Sequence, residues 1–145
     1  MSLRYPDLRA GDCFTGASRT ITDAEIALLP AMMGAINPLF HDEERARKGP
    51  LGRRVLYGPA LLGIVVAATE PLLGDLVIGL IGITDVQFKA AVGPGDTVTA
   101  RLGIRELIPK PDKAGDIVVT DDEAVNQTGT PVLTFSRAIM VRRPA

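Results

Sequence analysis

The stretch NPLFHDEE, residues 37–44, holds the one histidine of a 145-residue chain, set between an aromatic residue and three acids. An imidazole titrates near pH 6.5 in its ordinary state, so His41 suits a general acid/base that moves a proton at neutral pH. Asp42 suits a partner for it or a second base. The same residue type also caps helices, and "HDEERARK" reads as a short helix with acids first and bases last. Asn37 has the amide to hold a water, and equally to fix the loop through its own backbone ahead of Pro38. Farther on, "YGPALLG" opens an apolar helix at Gly58. A glycine there lets a carbonyl oxygen approach the free N–H groups of the helix start, where the dipole favours developing negative charge. Its competing use is a tight turn or close packing.

Other chemistries find less support. Cys13 is the single cysteine, so there is no intrachain disulfide and no cysteine metal cluster, and no spaced His/Cys set predicts a metal. Nucleotide and serine-hydrolase signatures are absent. Sixteen basic against seventeen acidic side chains leave a net charge of −1, which argues against wholesale binding to nucleic acid or an anionic membrane. Two Tyr, four Phe and no Trp are too few for a base-stacking platform. The opening "MSLRYPDLRAGD" has no apolar core, so no export signal is read there and the cytoplasm is the expected compartment. Arg45, Arg47, Lys48, Arg53 and Arg54 cluster beside the histidine loop, either to meet phosphates or as a solvated face paired with the neighbouring acids.

These residues need elements to position them. A first strand through Gly16 and Arg19 leads into "TITDAEIALLPAMMG", where Thr22 and Glu25 have capping-box spacing. Pro30 should kink or split that helix and Gly34 can end it. "AINPLF" reads as a loop. The helix begun at Gly58 and Pro59 is apolar on every side over 60–68, which predicts burial all round, and it is shorter than the roughly 20 residues of a membrane span. Strands follow: "LVIGLIGITDVQFKAAV", then "TVTARLGIREL" with Val98, Ala100, Leu102 and Ile104 on one face, then a hairpin around Gly129. One buried helix followed by antiparallel strands gives an α+β domain, a curved antiparallel sheet wrapped around a central helix. Its open edges predict a homodimer or higher homo-oligomer.

The chain resembles the MaoC-like dehydratases, the (R)-specific enoyl-CoA hydratases of the hotdog fold. The likeness lies in "GDCFTGASRTITDAEI", "GAINPLFHDEERAR", "RVLYGPALLGIV", "VQFKAAVGPGDTVTARL" and "AVNQTGTPVLTFSRAIMVRR", and spans 1–145 as a single domain. The resemblance implies hydration of a 2-enoyl thioester or the reverse dehydration, on acyl-CoA or an acyl-carrier thioester, with no cofactor beyond the coenzyme A of the substrate. It implies catalytic roles for His41 and Asp42, and substrate binding by Asn37, Tyr57 and Gly58, with Tyr57 offering a phenol donor or simple packing. One departure stands out. The family motif, G-D-x-N-P-[LI]-H-x-D, puts its Asp on Ala35 and its His on Phe40, leaving His41 one place late. Two further readings therefore stay open: a degenerate acyl-CoA-binding subunit of a dehydratase complex, and a hotdog thioesterase using Glu70.

Overall fold

The computed structural model describes residues 2–144. Five antiparallel strands form one sheet in the order β1-β3-β4-β5-β2. They are β1 (Cys13–Thr20), β2 (Val77–Phe88), β3 (Thr97–Ile108), β4 (Gly115–Val125) and β5 (Pro131–Arg142). Helices α1 (Asp23–Met32), α2 (Pro38–His41), α3 (Glu43–Lys48) and α4 (Gly58–Leu73) lie between β1 and β2. The sheet curls around α4, the hotdog arrangement. In β3, Val98, Ala100, Leu102 and Ile104 all face the core, as their alternation requires. The β4–β5 turn closes at Gly129, which sits at φ +81°.

Two elements differ from the expected secondary structure. α1 runs unbroken through Pro30 to Met32. Only two residues follow the proline, so little helix remains to be broken, and its ring is buried. The helix then ends at Gly34 (φ +77°), with Gly34 N–H donating to Ala31 O and Ala35 N–H to Pro30 O. That double closure is a Schellman motif. The second difference is α2: the segment expected as a loop is one helical turn, because Pro38 fits the first position and the Asn37 side chain accepts from Leu39 N–H at 2.9 Å.

α4 is held from below. Ala60, Leu61, Val65, Thr69 and Leu73 form its buried stripe, spaced as one helix face. Gly16, at a bulge in β1, lets the strand approach so closely that a Cβ there would lie 2.6 Å from Ala68 O. The expected burial all round does not hold for the single chain: Pro59, Gly63, Ala67 and Glu70 are exposed. The sheet covers only one side of the helix, and its rim strand β2 leaves Ile78, Leu80, Ile81 and Phe88 open as well. With the turn after it, Gly58–Leu76 is 19 residues of mean hydropathy 1.4, long and apolar enough by those measures to cross a membrane. The buried stripe against the sheet is instead the packing of a core helix.

Beneath the middle of α4 lies a buried ion pair. Arg137 of β5 meets the Asp122 carboxylate of β4, donates to Thr69 Oγ1 at 2.8 Å, and passes 3.8 Å from Glu70. Burial pushes the Asp122 carboxyl up, against the pull of Arg137.

Candidate functional site

The Schellman closure of α1 fixes the approach to the histidine turn. Ala35 is anchored by its N–H to Pro30, and its carbonyl oxygen lies 3.3 Å from His41 Nε2. Successive residues of a helical turn diverge by about 100°, and here that sends Phe40 inward, 9% exposed, and His41 outward to solvent. Asp42 ends α2 and begins α3, with Oδ1 accepting from Arg45 N–H at 2.9 Å. Asn37 spends its side-chain oxygen on the α2 start. So the structure brings His41, Asp42 and Asn37 onto one short segment, with the last two engaged as helix caps.

Tyr57 and Gly58 stand at the other side. Tyr57 precedes α4 without capping it, its ring 5.3 Å from that of Phe40 in an edge-on contact. The first backbone bond of the helix runs from Leu61 N–H to Tyr57 O at 3.0 Å. Helix geometry leaves the earlier N–H groups, that of Gly58 included, for another acceptor. Gly58 is also a close-approach glycine: a Cβ there would lie 3.0 Å from the Phe88 ring at the end of β2.

Between these elements a pocket of about 380 Å³ opens. Leu39, Phe40, Val55, Leu61 and Phe88 line it, Gly58 stands at its wall, and Lys89 is the one charged residue of its lining among the described residues. It can seat an apolar acyl group with the attached carbonyl oxygen against the helix start. A larger hollow, about 500 Å³, lies by Tyr5, Asp75 and Arg143. That one is past the C-terminal end of α4, where helix carbonyls rather than N–H groups are left over, so it suits a carbonyl oxygen poorly.

The basic cluster is largely neutralised. Arg54 binds Asp23 and Glu43, Arg47 binds Glu43 and Glu44, and Arg53 binds Asp96. Hydrogen bonding from Arg54 holds the Glu43 carboxyl below its ordinary value. Glu70 lies twelve residues beyond Gly58 on the same helix, about 18 Å along its axis. Among the described residues no His/Cys/Asp/Glu group of three is placed to hold a metal.

Sequence reasoning missed Phe88 and Lys89. The available signal was charge: Lys89 is the one charged residue between Asp85 and Asp96.

The comparisons with known proteins bear on the family and the fold. The chain is 29% identical over 140 residues to a β-methylmalyl-CoA dehydratase of Chloroflexus aurantiacus, covering 96% of the chain and 40% of that protein. To a mesaconyl-CoA hydratase of Cereibacter sphaeroides it is 27% identical, covering 96% and 41%. The chain thus spans about two fifths of each of these relatives. A solved structure titled monoamine oxidase regulatory protein, from Archaeoglobus fulgidus, superposes with a TM-score of 0.87 at 26% identity, covering 99% of this chain and 97% of that one. The family model described as MaoC like domain matches residues 10–127, more than half of the chain, and the chain belongs to that family.

Proposed function

We propose that the chain adds water to 2-enoyl thioesters of coenzyme A, or removes it from the 3-hydroxy products, at the pocket beside Gly58. The observation that carries this reading is an apolar pocket open to the free N–H groups of α4 in a chain of the MaoC-like family. Two relatives named as a dehydratase and a hydratase of CoA thioesters support it. In this reading the thioester oxygen faces Gly58 and the acyl group lies along Phe40 and Leu61. Water oxygen bonds to C3 of the acyl chain and a proton ends on C2. The charge passing through the thioester oxygen as an enolate is stabilised by the helix start. His41 is the proposed proton carrier, working from the rim, with Asp42 keeping its turn in place. Asn37 fixes that turn and Tyr57 braces Phe40.

A second reading has its own observation. Among the described residues no imidazole or carboxylate lines the pocket, and Phe40 fills the slot of the family's histidine. A binding subunit that relies on a related chain for proton transfer would look like this. Nothing around Glu70 favours a thioesterase.

The proposed assembly is a homodimer, with a second copy covering the open edge of β2 and the outer face of α4. We place the protein in the cytoplasm, without nucleic-acid or membrane partners and without a cofactor beyond the substrate's coenzyme A. The test is turnover of 2-butenoyl-CoA by the purified protein and by His41→Ala. Loss of about 10²–10⁴-fold supports the acid/base assignment. An unchanged rate removes His41 from the mechanism, and no turnover by the unmodified protein favours the binding subunit.

A further inference from the structure

Arg54 lies four residues before Gly58, on the non-helical lead-in to α4. Leu56 N–H donates to Val92 O at 2.7 Å, which ties this lead-in to the pocket wall at Val92. The Arg54 side chain is only 13% exposed, and each of its nitrogens takes a different partner. Nε donates to the Glu43 carboxylate at 2.7 Å, one terminal nitrogen to Phe40 O at 3.4 Å, and the other to the Asp23 carboxylate. Those partners belong to α3, α2 and α1 in turn. Phe40 O stands near the end of a one-turn helix, where carbonyls lack an intrahelical partner. A planar guanidinium serves such acceptors in fixed directions, whereas a lysine ammonium is a point charge on a flexible stem.

We infer that Arg54 is a positioning residue for proton transfer: it fixes the α2 turn, with Phe40 inward and His41 at the rim, relative to the thioester site at Gly58. This rests on the reaction proposed above and adds the residue that joins its two sides. The join is needed because α2 is four residues long and α3 six. Helices that short do not hold themselves in place. The ring of Phe40 packs on Tyr57, but apolar contact is largely non-directional. The guanidinium supplies the direction. Two carboxylates already face its charge, so it makes a poor ligand for the phosphates of coenzyme A.

The experiment is a double-mutant cycle between Arg54 and His41, read as kcat and KM for 2-butenoyl-CoA. Arg54→Met should lower kcat about 10–100-fold, the cost of a slight misplacement, with KM nearly unchanged. In the His41→Ala background the same change should cost almost nothing more, because the group it positions is gone. Arg54→Lys should fall between the native protein and Arg54→Met, and it carries the cycle should Arg54→Met not fold. An equal loss in both backgrounds overturns the inference, since Arg54 then acts on the fold or on Gly58 and not through His41. A raised KM with kcat intact overturns it too, and makes Arg54 a ligand for the coenzyme. Amide hydrogen exchange reads the turn without substrate. In Arg54→Met the Phe40 and Asp42 N–H groups, which donate to Asn37 O and Pro38 O, should exchange about 10-fold or more faster, with β3 to β5 unchanged. Unchanged exchange at the turn overturns the inference even if the native protein proves inactive. Failure of the proposed reaction has its own signature: no turnover by the native protein, whatever the exchange shows.

Discussion

The two halves of α4 solve opposite problems. At its N-terminal end the helix meets an apolar pocket, carries no side-chain cap and presents backbone N–H groups. Past its middle, Thr69 joins a buried ion pair between Arg137 and Asp122, and Leu73 is wholly enclosed. At the open end no side chain among the described residues caps the helix N–H groups. The closed end places two opposite charges under the sheet and gives each a partner. A helix pinned at one end can hold its other end still while leaving it unfilled, which is what binding a thioester oxygen requires.

The largest effect should come from breaking the closed end. Arg137→Met leaves the Asp122 carboxyl buried without its cation, and should cost about 3–5 kcal/mol in urea unfolding. Replacing both residues, Arg137→Met with Asp122→Leu, should recover most of that loss. The sign of the pH dependence follows from burial. Asp122 is already held above its ordinary value, and losing Arg137 raises it further. A folded acid that keeps its proton where the unfolded chain has released it loses stability as pH rises. The deficit of Arg137→Met should therefore be smallest below the ordinary carboxylate pKa of about 4 and grow as pH climbs through the raised folded value. A deficit that is flat with pH would mean Asp122 is not the group left stranded.

A smaller effect, and one on function, should come from filling the open end. In Gly58→Ala the new Cβ would press on the Phe88 ring at 3.0 Å and narrow the path to the helix start. The expected loss in kcat/KM for 2-butenoyl-CoA is about 10–100-fold, as for a slight misplacement of the reacting carbonyl. Stability should change little, since the Cβ meets the far end of the Phe88 side chain, an exposed ring that can shift. Loss of folding in place of activity would make Gly58 a packing residue.

How much of this was legible depended on the range of the interaction. The capping box of Thr22 and Glu25, the Gly34 stop, the start of α4 and the alternation of β3 are local rules, and each lay where the sequence placed it. α2 is ambiguous in sequence because Asn-Pro serves a loop as well as it serves a cap and a first helical position, the use the structure makes of it. The outer face of α4 was misjudged because apolar composition does not say whether a chain covers its own helix or leaves it for another. The ion pair under α4 went unread, yet period two puts Arg137 on the same strand face as Phe135 and Ile139, and Asp122 with Thr120 and Ala124. A charge on an apolar strand face was the available clue. Phe88 reaches the pocket only because the end of β2 and the start of α4 converge there, and no local rule carries that.

The central claim is that an acyl thioester seats at the open end of α4. A crystal structure with butyryl-CoA bound tests it most directly. The account predicts the thioester oxygen about 2.7–3.1 Å from the N–H of Gly58, with the acyl chain against Phe40 and Leu61. A thioester seated instead in the hollow by Tyr5 and Arg143, beyond the closed end of the helix, would contradict it.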